Sequence, residues 1–226
     1  MTDRTQTREK VLERIRRATP GAAGSGVSVA EEYSALPRDY VRRGGLNPAA
    51  RLELMVERLR EYDAEVTECA PQDLAATIAA RLEVSGRRTF VVPAGLPAEW
   101  LAPGFEWKLD HDLGVDAIEH ADGVMTAAFC GVAESGTIVL HHGAAEGRRV
   151  LSLLPDWHLC VLQANQIVET LPEYFARCQR VPALVTWISG PSATADIEMT
   201  RIKGVHGPRF LDVVLVREER VHGNLN

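Results

Sequence analysis

Asn47–Tyr62 (NPAARLELMVERLREY), Ala64–Glu68 (AEVTE), Pro71–Val84 (PQDLAATIAARLEV) and Thr89–Val92 (TFVV), taken in that order, decide the fold. Asn47 can cap a helix, and Pro48 suits its first turn because the missing N–H would find no partner there. Leu52, Met55, Val56 and Leu59 then recur at helical spacing. Ala64–Glu68 has strand length. Pro71 opens a second helix, with Leu74, Ile78 and Leu82 on one side. Thr89–Val92 reads as a buried strand that stops at Pro93. Such strand–helix–strand alternation predicts an α/β fold, a parallel-rich sheet with helices on its faces.

Towards the N-terminus, residues 2–18 predict a charged amphipathic helix with Val11, Leu12 and Ile15 on one side. Pro20–Gly26 (PGAAGSG) reads as a flexible linker, and Glu31–Arg43 as irregular or helical. The economical organisation is an N-terminal helix and Gly-rich linker over 1–26, followed by one domain over 27–226.

Towards the C-terminus, Pro97–Leu101 predicts a helical turn, Phe105–Leu109 an extended piece and Val115–His120 a short helix. Val124–Cys130 fits a strand or a helix. Gly136–Leu140 predicts a central strand, and Val150–Leu154 and Trp157–Leu162 two further strands on either side of Pro155. Leu171–Gln179 predicts a helix, Ala183–Ile188 a strand and Leu211–Val216 a last buried strand. Between these, Ser189–Glu198 (SGPSATADIE) breaks the strand at Gly190 and Pro191. It reads as reopening in a helix that Ser192 or Thr194 can cap. A strand that ends in a Gly/Ser loop before a helix presents backbone N–H groups to an anion; without a ligand it is a capped turn.

The 226 residues are 46% hydrophobic and 25% charged, with a formal net charge of −6. This balance supplies a core and argues against a nucleic-acid surface. No apolar run approaches the ~20 residues of a bilayer span. The N-terminus lacks the apolar stretch of a signal peptide, so a cytoplasmic location is expected. The four cysteines, Cys69, Cys130, Cys160 and Cys178, form no C-x-x-C pair, so neither zinc nor an iron–sulfur cluster is expected in this chain. His141 and His142 are adjacent, and neighbours on a strand point to opposite faces, so no metal site is expected there either.

Glu134 stands before Gly136 and the apolar run Thr137–Leu140, where a carboxylate can act as base, nucleophile or hydrogen-bond anchor. As a plain loop carboxylate it would only cap nearby N–H groups. His206, in Gly204-Val-His-Gly-Pro-Arg209, sits in a loop stiffened by glycine and proline that can hold an imidazole in place; a solvated turn is the other reading. Glu134 and His206 are therefore the candidate catalytic pair. Ser189, Gly190, Ser192, Thr194, Gly207 and Arg209 are the candidate anion-binding set, with Arg209 able to grip a carboxylate by two bonds. Glu134, Ser192, Thr194, His206 and Arg209 are expected to line one pocket at the carboxyl ends of the strands, where open α/β sheets bind ligands. His158 is expected to face the core or to be hydrogen-bonded in the sheet.

Ala133–Leu140 (AESGTIVL), Leu153–His158 (LLPDWH), Ile188–Glu198 (ISGPSATADIE) and Gly204–Pro208 (GVHGP) resemble, in that order, successive blocks of the LUD domain family. The resemblance implies a fold shared with glucosamine-6-phosphate deaminase, ribose-5-phosphate isomerase and the CoA-transferases (the NagB/RpiA/CoA-transferase-like type). It also implies a role in oxidation of L-lactate to pyruvate, as one subunit of a three-part system whose iron–sulfur clusters lie on partner subunits. A stand-alone enzyme acting through Glu134 on a small anionic metabolite, of sugar-phosphate isomerase or CoA-transferase type, is the competing expectation. A ligand-binding module without catalysis is the third.

Overall fold

The computed structural model describes residues 3–19, 28–191, 193–194, 202–203 and 206–217. They fall into two compact units, residues 1–40 and 41–226. The first holds α1 (Asp3–Ala18) and α2 (Val29–Ala35). The Ser28 hydroxyl accepts from the Glu31 amide, and the Glu31 carboxylate accepts in return from the Ser28 amide at 2.8 Å, a reciprocal cap that starts α2. The expected linker 20–26 lies outside the described residues.

The second unit is built on α3 (Pro48–Glu61), β1 (Glu65–Cys69), α4 (Leu74–Ser85), β2 (Thr89–Pro93), β3 (Glu106–Asp110), α5 (Val115–Glu119), β4 (Gly123–Ala127), β5 (Cys130–Val132), β6 (Thr137–Leu140), β7 (Trp157–Gln163), β8 (Ile167–Val168), α6 (Leu171–Arg177), β9 (Thr186–Ile188), β10 (Ala193–Thr194), β11 (Ile202–Lys203) and β12 (Phe210–Val216). Asn47 caps α3 as its sequence suggests, its side chain accepting from the Ala50 amide at 2.9 Å. Gly86, in the left-handed region at φ +68°, closes α4.

Six strands form one parallel sheet in the order β1-β12-β7-β4-β2-β3. The inner strands β7 and β12 are buried almost throughout because both faces are covered, and the edge strands β1 and β3 carry the polar residues. On one face α4 packs Leu74, Ile78 and Leu82 against Phe90, Leu159, Val161 and Val214. On the other, Leu52, Met55, Val56 and Leu59 of α3 meet Leu162, Val213 and Leu215. Full burial of each such aliphatic side chain stabilises by about 1.5–3 kcal/mol.

A second sheet, β8-β5-β6-β9, shares this second face, with Ile138 and Leu140 in the same core cluster as α3. β5 and β6 form an antiparallel hairpin, β8 pairs parallel with β5, and β9 pairs antiparallel with β6. Three expectations change here. Thr137–Leu140 is an inner strand of the smaller sheet and not of the parallel one; a fully buried four-residue run carries no mark of which sheet receives it. Arg149–Ser152 is a 3₁₀ turn where a strand over Val150–Leu154 was expected. The helix expected after Pro191 is absent at Ala193–Thr194, which are extended and pair antiparallel with Ile202–Lys203, while residues 195–201 lie outside the described set.

Candidate functional site

β7 and β12 start side by side, with Leu211 in register with His158. β9 ends over this amino edge of the parallel sheet. Between them lies a cavity of about 240 Å³, lined by His158, by Thr186–Pro191, by His206–Pro208, by Leu211, and by Arg149 and Ser152 of the 3₁₀ turn.

Strand alternation puts His158 there. Trp157, Leu159 and Val161 face α4, so His158 faces the second sheet with Cys160 and Leu162. His158 is only 1% exposed and its Nε2 lies 2.8 Å from Thr126 Oγ1. Burial pulls its pKa down to about 4, so the ring is neutral near pH 7. The same burial pushes the Cys160 thiol up to about 12.

Arg149 is oriented by a directional series of bonds. The Gly147 carbonyl can only accept, so His142 Nδ1 donates to it at 2.8 Å. In the neutral ring Nε2 then accepts from Thr186 Oγ1, 2.8 Å away, and the Thr186 oxygen accepts from Arg149 Nη1. His142 holds this position with φ at +59°, a conformation that non-glycine residues rarely adopt. Its neighbour His141 goes elsewhere, stacking on Phe129 at 3.6 Å and bonding Tyr174 Oη at 2.8 Å. Among the described residues no three His, Cys, Asp or Glu side chains are grouped to hold a metal ion.

A second series leads outward. Ser189 on the cavity wall lies 2.8 Å from the buried Thr137 hydroxyl, which lies 2.8 Å from that of Ser135. Gly190 makes this turn possible. Its φ is +82°, and a Cβ there would stand 2.4 Å from Tyr62 Cβ.

Of the residues singled out in the sequence, Ser189, Gly190, His206 and Gly207 line this cavity. It lies at the amino ends of β7 and β12, whereas a site at the carboxyl ends was expected. Arg209 does not line it. Its guanidinium pairs with Asp156, Nη2 to Oδ2 at 2.9 Å, in a separate concavity of about 940 Å³ that also holds Arg60, Arg81 and Arg87. Glu134 is exposed on the turn after β5, where its amide donates to the Glu169 carbonyl at 3.0 Å, and it is not among the lining residues. Ser192 lies outside the described residues, as does the Thr194 side chain.

Sequence reasoning missed Arg149, Thr186 and His142, and read His158 as core-facing or hydrogen-bonded in the sheet, which its burial and its bond to Thr126 bear out, but not as a cavity residue. Arg149 follows another arginine, and no spacing distinguishes the one that lines the cavity, where Arg149 stays solvent-exposed. Chemically, the lining offers one guanidinium, two imidazoles and several hydroxyls, with no Asp or Glu among the described lining residues. That set suits a small anion.

The LUD domain model matches residues 2–216. Lactate utilization protein C of Deinococcus radiodurans is 39% identical over 220 residues, covering 96% of this chain and 100% of that protein. Lactate utilization protein C of Halalkalibacterium halodurans is 40% identical over 109 residues, 44% of this chain and 47% of that one. The crystal structure of a DUF162 family protein from Deinococcus radiodurans superposes with a TM-score of 0.64 at 36% identity, covering 76% of this chain and 99% of that one. By its sequence from residue 2 to 216 and by its fold, this chain belongs to the LUD domain family.

Proposed function

We propose that this chain is a subunit of an L-lactate utilization system that oxidises lactate to pyruvate, with the iron–sulfur clusters carried by partner subunits. The observation that carries the reading is the match along nearly the whole chain to a protein named for lactate utilization, at 39% identity. The thiols support a role without clusters of its own. Cys130 sits in the second sheet and Cys160 in the parallel sheet, both buried, and burial raises both pKa values, which disfavours the thiolate that iron requires. Among the described residues no helix is long and apolar enough to cross a membrane.

Within this reading His206, on the cavity wall, is the candidate for handling a proton. Glu134 is exposed and is not among the described lining residues, so a stand-alone reaction built on Glu134 has less support. The test is co-purification of the chain with cluster-bearing partners, followed by lactate-dependent dye reduction with and without it. Loss of reduction when this chain is omitted is expected. Equal rates without it would refute the proposal.

A further inference from the structure

We propose that the cavity at the amino edge of β7 and β12 binds a small monocarboxylate with an oxygen on the neighbouring carbon, and that Arg149 is its carboxylate anchor. The lactate reading sets the expected ligand; the cavity and the anchor come from the geometry.

Size sets the first limit. About 240 Å³ is room enough for an acid of a few carbons. Charge sets the second. Arg149 is the sole Lys or Arg among the described lining residues, which include no Asp or Glu. Its guanidinium donates to a neutral hydroxyl, that of Thr186, and no carboxylate pairs with it among the described residues. Arg209, by contrast, is already occupied by Asp156. A guanidinium that faces a cavity with no carboxylate beside it is poised for an anion, and its planar fork matches a carboxylate.

Orientation completes the case. The bond to Thr186, relayed through His142 to the Gly147 carbonyl, fixes one edge of the Arg149 guanidinium and leaves its other N–H groups for a ligand. Among the described lining residues Arg149 is the one guanidinium and burial holds His158 neutral, which matches the single charge of a monocarboxylate. The Ser189 hydroxyl, 2.8 Å from that of Thr137, can turn a hydrogen bond to the second oxygen, and the Ser152 hydroxyl, which donates to the Arg149 carbonyl at 3.1 Å, can accept one from a ligand hydroxyl.

The experiment is calorimetric titration of the purified full chain with L-lactate, pyruvate, acetate and inorganic phosphate, repeated on Arg149→Gln, Arg149→Lys and Arg209→Gln. Circular dichroism melts verify that each variant is folded. Lactate or pyruvate is expected to bind more tightly than acetate or phosphate. Arg149→Gln should weaken that binding at least tenfold, Arg149→Lys should weaken it less, and Arg209→Gln should leave it within twofold. Undiminished binding in Arg149→Gln, tighter binding of phosphate than of the monocarboxylates, or no saturable binding of either oxygen-bearing acid would overturn the site. The lactate reading fails separately. If the assembled system oxidises lactate with an unchanged KM in Arg149→Gln, the site falls and the lactate role stands. If the chain binds pyruvate through Arg149 but lactate oxidation proceeds without it, the site stands and the lactate role falls.

Discussion

Replacing His158 by Gln should change how stability depends on pH. His158 is 1% exposed, and its pKa falls from 6.5 to about 4 because burial penalises the charged ring. The unfolded chain therefore binds a proton below about pH 6.5 that the folded chain refuses until about pH 4. A folded-state pKa depressed in this way contributes stability that is fully present above 6.5 and drains away as pH falls towards 4. The interval between the two values, at about 1.4 kcal/mol per pH unit, amounts to about 3 kcal/mol. Glutamine keeps a hydrogen-bonding group for Thr126 but does not titrate. At about pH 7.5 the variant should be less stable by roughly 1–3 kcal/mol, through altered packing and a displaced bond. Urea unfolding followed by tryptophan fluorescence at about pH 7.5, 6.5, 5.5 and 4.5 gives the difference between the two proteins. That difference should move in favour of the variant by roughly 2–3 kcal/mol between the first and last pH. Parallel curves across the range would refute the reasoning, because they would mean that His158 titrates alike in both states.

Asp212 on β12 is buried between Arg81 of α4 and the indole N–H of Trp157, and burial raises its pKa despite both partners. Asp212→Ala, which leaves a mostly buried guanidinium without its carboxylate, should cost about 3 kcal/mol in chemical denaturation; a loss under about 1 kcal/mol would show the pair to be well solvated. Gly190→Ala places a Cβ 2.4 Å from Tyr62 Cβ at a positive φ, so a destabilisation of about 2 kcal/mol and weaker carboxylate binding are expected by melting and titration. Deleting residues 1–26 should leave a cooperative melt, since the buried apolar residues among those described begin at Leu52; a non-cooperative melt of the truncated chain would contradict this.

The sequence by itself determined the elements that local rules control. Asn47-Pro48 and the Leu52–Leu59 spacing mark α3, Leu74, Ile78 and Leu82 mark α4, and the largely apolar runs of β7 and β12, broken by His158 and Asp212, mark strands buried on both faces. These signals live within a few residues of one another, and helical or strand periodicity is enough to read them. The ordered blocks from Ala133 to Pro208 also carried the family. Tertiary structure decided what depends on distant partners. Thr137–Leu140 has the composition of a central strand, but its neighbours Cys130–Val132 and Thr186–Ile188 place it in the second sheet. Thr194 has the composition of a helix cap, yet β10 pairs with β11. Arg209 had the right chemistry for an anion, but Asp156, 53 positions away, takes it, while Arg149 turns to the cavity because Thr186, 37 positions away, accepts its N–H. Which of two arginines lines the cavity and which is paired with a carboxylate is settled by long-range partners, and no local pattern encodes those.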